Sequence, residues 1–439
     1  MRSTFLFLLI LALVPICAAN PFVGLLVWFW LSYMAPHRLT WGAAYAFPFA
    51  QVVAAATLIG ILVRVGRGGL PRMPWTRELS LLCVLWFMFL VTTVFAIRPD
   101  LAWTELGDVS KVLLMTLPIP LLVHKEMQLR LLLLVTALSI GFYGLKGGIW
   151  GLLRGEQGMV WGPPNSSIAD NTALGLALNM ILPLLFLLAL DEPRRWLKRL
   201  LQLTFVLSVV AILFTYSRGA FLGLVVVLSL IFVGLRLKTK LVVATLLLVT
   251  LPVVVSQLPD RWFERMETIE TYENDTSAMR RIHAWTAAWR LAIDRPLVGG
   301  GFEIVNDPTT HRKYNPGTLK IAGVHSVYFE ILAENGFITL GVFVLLMLST
   351  VASAVGVRRV ARENNLTRHA HYAQMLMISI CGYAVSGAFL EMASFDLYYQ
   401  MLAMVVALKA IVTRELEARQ NSGPAEQPLL PRPVAVRAN

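Results

Sequence analysis

The chain has 439 residues, of which 57% are hydrophobic and 15% charged, with a mean hydropathy of +0.67. That balance excludes the two or three soluble domains its length would otherwise suggest, and long unbroken apolar runs exclude the in-out alternation of a membrane barrel. The formal charge of +12 does not point to nucleic acid, because the basic residues are spread between the apolar runs.

The first apolar run follows Arg2 and imitates a secretory leader ending at Cys17-Ala18-Ala19. The pattern resumes at once through Leu25 to Trp30, so residues 4–34 read as one long first crossing bent near Pro15 or Pro21. Further stretches follow at about 43–63, 79–96, 108–123, 128–147, 173–190, 200–216, 219–235, 240–257, 336–356, 372–390 and 397–413. Each is near the length a helix needs to cross roughly 30 Å of hydrocarbon. The expected fold is an all-α polytopic membrane protein of about twelve transmembrane helices with one large helical loop on the outer side. Its expected divisions are 1–257 (nine helices), 258–335 (an outer loop domain carrying the chemistry), 336–413 (three helices) and 414–439 (a disordered inner tail). Cys17, Cys83 and Cys381 all fall in apolar runs, so no disulfide framework or zinc spacing exists.

Alternate connections carry very different charge. One set holds Arg64, Arg67, Arg72 and Arg77; Lys125 and Arg130; Arg194, Arg195, Lys198 and Arg199; Arg236, Lys238 and Lys240; and Arg358, Arg359, Arg362 and Arg368. The other short connections hold only Arg38, Arg98, Arg154 and Arg218. By the positive-inside rule the first set is cytoplasmic, and with twelve crossings both termini are too. Of the two longer outer segments, 148–172 contains Gly162-Pro163-Pro164-Asn165, which is loop chemistry. In the other, 258–335, Ala278 to Ile293 has helical periodicity and ends at Asp294-Arg295-Pro296 and Gly299-Gly300-Gly301. Residues 325–335 read as a short helix running into the next crossing. No internal repeat supports an inverted-repeat transporter.

This topology puts several cations on one face. Arg218 lies in the tight turn Tyr216-Ser217-Arg218-Gly219, Arg280 and Arg281 in the long loop, and His325 at the start of the short helix. Lys111 and Lys146 can snorkel to the same face, and Arg154 is a second outer arginine in a segment where the positive-inside rule selects against it. An isolated arginine at a helix end commonly anchors lipid headgroups. A cluster of them attracts an anion, and the guanidinium fork matches phosphate oxygens. A neutral imidazole at His325 can accept a proton near pH 7; His283 ranks below it. Glu330 and Glu334 read as a solvated helix face. No Asp-x-Asp occurs, Glu273-Asn274-Asp275 is a short acidic run in a polar loop, and Gly-x-Ser-x-Gly is missing, so neither a metal site nor a serine hydrolase is expected.

Three blocks in order, Thr215 to Phe221, Arg281-Ile282-His283-Ala284-Trp285 through Gly301, and His325-Ser326-Val327-Tyr328 through Gly336, resemble the O-antigen ligase and polymerase superfamily. Pro21 to Leu39 and Gly144-Leu145-Lys146-Gly147-Gly148 are similar to a ligase subgroup found beside exopolysaccharide and protein-sorting systems, some members of which are labelled putative protein O-glycosylation ligases. Ser326 stands where many relatives place Asn. The resemblance implies a glycosyltransferase of the bacterial inner membrane, with its active site facing the periplasm. It would move O-antigen polysaccharide from undecaprenyl diphosphate to lipid A–core without a cofactor or metal and with inversion. It further implies Arg218, Arg281 and His325 as catalytic residues, with Arg280, Lys111, Lys146 and Arg154 binding substrate. The rival within the superfamily is a polymerase, whose acceptor is another lipid-linked repeat. The rival of a different class is a transporter of lipid-linked glycan, marked by ionisable residues at mid-bilayer depth, which are scarce here.

Overall fold

Inside a bilayer no water is at hand for unpaired backbone groups, so an apolar chain satisfies its N–H and C=O groups within each segment and becomes helical. The computed structural model describes residues 2–69, 71–154, 158–235, 237, 240–241, 262, 276–314 and 323–421. It is a helical bundle, with no strand among the described residues. In chain order the main helices are α1 (Arg2–Ala19), α2 (Pro21–Tyr33), α3 (Phe49–Gly66), α4 (Arg77–Val94), α5 (Pro99–Thr116), α6 (Glu126–Arg154) and α7 (Asn171–Asp191). They continue with α8 (Arg195–Leu213), α9 (Arg218–Gly234), α10 (Thr276–Asp294), α11 (Pro308–Tyr314), α12 (Val327–Glu363), α13 (Thr367–Ser386) and α14 (Asp396–Asn421). Among the described residues eight helices are long and apolar enough to cross a membrane, namely α3, α4, α6, α7, α8, α12, α13 with its short extension, and α14; α1, α2 and α9 are shorter apolar helices. The expected crossing at 240–257 lies outside the described residues, apart from its first two positions, as do Arg236, Lys238, Glu273, Asn274 and Asp275.

Helix α7 is the hub, with 89% of its apolar window enclosed by neighbours. Its Asn179 amide donates to the Ala220 carbonyl at 2.8 Å and to Ser386 Oγ at 3.2 Å, tying α9 and α13 to it. Small residues let these helices approach closely, as dispersion-driven packing in lipid requires. A Cβ on Gly148 would lie 2.3 Å from the Leu207 carbonyl oxygen, which fixes the contact between α6 and α8.

One end of the bundle carries the basic connections. There Arg130 pairs with Glu192, Arg368 with Glu126 at 3.6 Å, and His371 with Asp191 at 2.8 Å. The last helix also passes the expected end of order at Arg414 and continues to Asn421. Two polar contacts of Arg419 explain the extra turns: a pair with Glu415 at 3.0 Å, four residues back, and a hydrogen bond to the Asn364 carbonyl at 3.2 Å.

Residues 4–34 are not one crossing. The helix breaks at Asn20, whose backbone is extended (φ −130°), and Pro21 supplies no N–H to continue it. Phe7 packs on Phe47 and Phe49 at 5.0 and 5.4 Å, Arg64 reaches the Ala19 carbonyl at 2.7 Å, and His37 returns to Phe49 at 5.7 Å. So α1 and α2 fold back on each other beside α3. The start of α1 therefore lies at the end opposite the basic loops, whereas a single crossing would have put it among them. Helix α5 departs from expectation as well, beginning at Pro99 rather than near 108, because Asp100, Glu105 and Asp108 hide its first turns from an apolar scan.

This geometry is checked by labelling a cysteine-free background with an impermeant thiol reagent from outside spheroplasts. Trp41→Cys should label and Trp196→Cys should not, both positions being exposed at opposite ends of the bundle. Equal labelling of the two would refute the arrangement.

Candidate active site

Above the end opposite the basic loops, α10, α11 and the start of α12 form an outer layer with its own small core. Ala284, Ala288, Leu291, Ile304 and Val324 are buried in it. Backbone bonds join it to the bundle, beside the Arg98–Asp307 ion pair at 2.5 Å and the Phe302 ring 5.2 Å from Phe89. Gly336 interrupts α12 with φ 79° and ψ 179°, and at this break the Gly300 and Gly301 N–H groups donate to the Ala333 and Glu334 carbonyls at 2.8 and 2.7 Å. Phe337 N–H returns to the Pro296 carbonyl at 2.9 Å, and Ile97 N–H to the Gly300 carbonyl at 2.8 Å. Gly299 sits at φ +59°, and a Cβ there would lie 2.5 Å from the Glu334 carbonyl carbon. Only glycine meets both demands.

The same layer positions the expected base. Trp285 stacks on Phe329 with ring centroids 5.1 Å apart, and its indole N–H donates to the Val324 carbonyl at 2.6 Å. Arg281 is one helical turn before Trp285, on the same face of α10, so this bond draws His325 towards Arg281. His325 has a left-handed backbone (φ 42°), and its N–H donates to Glu391 Oε1 at 2.9 Å. Burial is the main influence on its imidazole and holds the pKa below the ordinary histidine value. Glu391 and Asp170 act in the opposite direction, and Arg281 and Arg280 act with burial. The imidazole is thus kept neutral near pH 7.

Arg218 is held by separate means. Asn171 donates to the Thr215 carbonyl at 2.7 Å, Tyr216 takes a left-handed turn (φ 54°), and Ser217 caps α9 by accepting from Ala220 N–H at 3.2 Å. Arg218 is the first residue of α9. Gly219 beside it packs against Phe389, where a Cβ would lie 2.6 Å from Phe389 Cβ. Phe389 stands two residues before Glu391, so the start of α9 packs on the turn whose carboxylate accepts the His325 N–H.

Other expected residues stand apart. Lys111 is exposed and paired with Asp108 at 2.6 Å. Lys146 is exposed on α6, while Gly144, Gly147, Gly148 and Gly151 form that helix's buried face; Arg154 is exposed at its end. Glu330 and Glu334 do not form a solvated face. Glu334 is 4% exposed and accepts from Glu303 N–H at 2.7 Å, while Glu330 accepts from Ala393 N–H at 3.1 Å. They face inward because this part of α12 is covered by the glycine turn on one side and by 391–395 on the other. With Glu105, Glu303 and Glu391 they line a cavity of about 270 Å³, together with Ser167, Asn306, Ser394 and three apolar side chains. Among the described residues no group of His, Cys, Asp and Glu has metal-binding geometry.

Residues 203–344 match the family model described as O-antigen ligase, and this range contains all three ordered blocks. That match, over about a third of the chain, supports membership of the O-antigen ligase/polymerase superfamily. Residues 1–192 match a family of unknown function. No curated protein matches the chain.

Members of the superfamily are membrane ligases and polymerases of the glycosyltransferase kind, which fits a polar site at one end of an apolar bundle. Glu391 escaped the sequence reading because the apolar run ends just before it. Its signal was a lone carboxylate between Phe389-Leu390 and Met392.

Two substitutions test how the layer is built. Gly299→Ala should destabilise the purified protein by at least about 1–2 kcal/mol from the left-handed backbone alone, read as a lower thermal midpoint. Trp285→Phe, which keeps the ring but removes the donor, should cost roughly 1 kcal/mol on the same measurement. A wild-type midpoint in Gly299→Ala would mean the docking at Gly336 is not tight.

Proposed function

We propose that the protein is an O-antigen ligase of the inner membrane, transferring polysaccharide from undecaprenyl diphosphate to lipid A–core on the periplasmic face. The observation that carries this reading is the grouping of Arg281, Arg280 and a neutral, half-buried His325 within the superfamily's own blocks. In the transfer, the acceptor hydroxyl oxygen attacks the anomeric carbon and loses its proton to His325. The carbon–oxygen bond to the diphosphate breaks, its electron pair leaves with the diphosphate, and the anomeric centre inverts because no carboxylate nucleophile intervenes. Arg218 and Arg281 hold the diphosphate and stabilise the charge that builds on it, with Arg280 in support. The glutamate-lined cavity beside His325 favours this division. Glutamate carboxyls hydrogen-bond sugar hydroxyls and offer a diphosphate no cation, so the anionic donor belongs on the arginine side. Lys111, Lys146 and Arg154, exposed towards the surroundings, would contact lipid headgroups or the long donor rather than the reacting centre.

Transfer is the direct test, with envelope glycans resolved by gel in a deletion strain complemented by each variant. Arg218→Lys and Arg281→Lys keep the charge but lose the fork, and each should slow transfer by about a hundredfold, near 3 kcal/mol. His325→Ala should lose roughly a hundred- to ten-thousandfold while donor still binds. Since neutral imidazole is the competent form and its pKa lies below the usual 6.5 or so, the rate should be level above about pH 6.5 and fall as pH drops through the depressed value. Near-normal transfer in both Arg218→Lys and His325→Ala would end this assignment. Accumulated lipid-linked full-length polymer in the deletion strain supports a ligase; core capped with single repeats would instead identify a polymerase.

Neutralising the leaving group with arginines makes a divalent ion unnecessary. Purified protein should keep its activity in EDTA, and loss in chelator with recovery on adding magnesium or manganese would overturn the arginine mechanism.

A further inference from the structure

A non-glycine residue with a left-handed backbone persists only where its surroundings over-determine it. His325 is such a residue, at φ 42°. Two contacts hold it: the Trp285 indole on the Val324 carbonyl at 2.6 Å, and Glu391 Oε1 accepting the His325 N–H at 2.9 Å. The second comes from a remote part of the chain, the turn between α13 and α14. That turn is itself braced, since Tyr383 donates to the Met392 carbonyl at 2.9 Å and Tyr399 to the Ala393 carbonyl at 2.7 Å. The carboxylate lies directly on the bare backbone before the histidine. A Cβ on Gly323 would stand 2.4 Å from Glu391 Oε1, so the position tolerates no side chain while Glu391 stays where it is.

We propose that Glu391 is the positioning residue for His325, fixing its backbone and supplying the negative charge that makes its imidazole an effective base beside two arginines. The inference rests on the reading of His325 as the base. Among the described residues four charged groups act on this histidine: Glu391 and Asp170 of one sign, Arg281 and Arg280 of the other. The arginines that serve a diphosphate also oppose a cationic imidazole nearby. When the acceptor's proton moves to His325, the imidazolium needs a compensating anion in hydrogen-bonding range of its own residue. Glu391 meets that need, while Asp170 is engaged in capping α7 through Thr172 and Ala173. Glu391 acts through the histidine and is not itself a proton acceptor in the transfer.

The test uses the full chain in proteoliposomes with an undecaprenyl-diphosphate-linked glycan as donor and lipid A–core as acceptor. E391A should lower kcat between ten- and a hundredfold with little change in donor KM. E391Q keeps an oxygen that can accept the backbone N–H but drops the charge, so it should lose less and shift the midpoint of the pH–rate profile downward. G323A, with Glu391 intact, should reproduce the kcat loss of E391A by displacing the carboxylate. If E391A does not insert stably, E391Q and its pH profile carry the test. Wild-type kcat and an unmoved midpoint in E391Q, with His325→Ala inactive, would overturn this inference and leave the proposed function standing. Activity in His325→Ala would remove both.

Discussion

The whole outer layer depends on an interrupted helix. At Gly336 the path of α12 turns, freeing the Ala333 and Glu334 carbonyls from partners within the helix, and the Gly300 and Gly301 N–H groups take them. Such bonds cannot be made at a distance: backbone must lie on backbone, which is why glycine occupies 299 through 301. Once this junction is set, the orientation of α10 follows, and with it the relative places of Trp285, Arg281 and His325.

The site's electrostatics follow from the same docking. Arg280 and Arg281 come from α10, Glu391 from the turn after α13, and Asp170 from the start of α7, so both signs of charge reach His325 from three directions. In a partly water-excluded pocket, each interaction is stronger than on an open surface. Cations from α10 and the glutamates that line the neighbouring cavity therefore give one small region two chemically distinct sides.

The N-terminal half also takes part. Residues 1–192 match a family of unknown function, yet they supply Glu105 and Ser167 to the cavity and Asp170 beside His325. The α1–α2 hairpin sits farther off, packed along α3 through aromatic and small-residue contacts.

Sequence alone determined the helical membrane character, the clustering of basic loops at one end, the extent of α10 within two residues, and the three ordered blocks of the site. Each is a local property, written in apolar run length, charge placement or a short motif. Only tertiary structure decided that residues 4–34 reverse at Asn20, since a run of apolar residues looks the same whether the chain continues or turns back. It also decided that Glu330 and Glu334 face inward, because helical spacing tells which residues share a face but not what covers it. Glu391 could not be assigned to His325 from sequence at all: 66 residues separate them, and their hydrogen bond exists only because α13 and α14 bring the intervening turn against the start of α12.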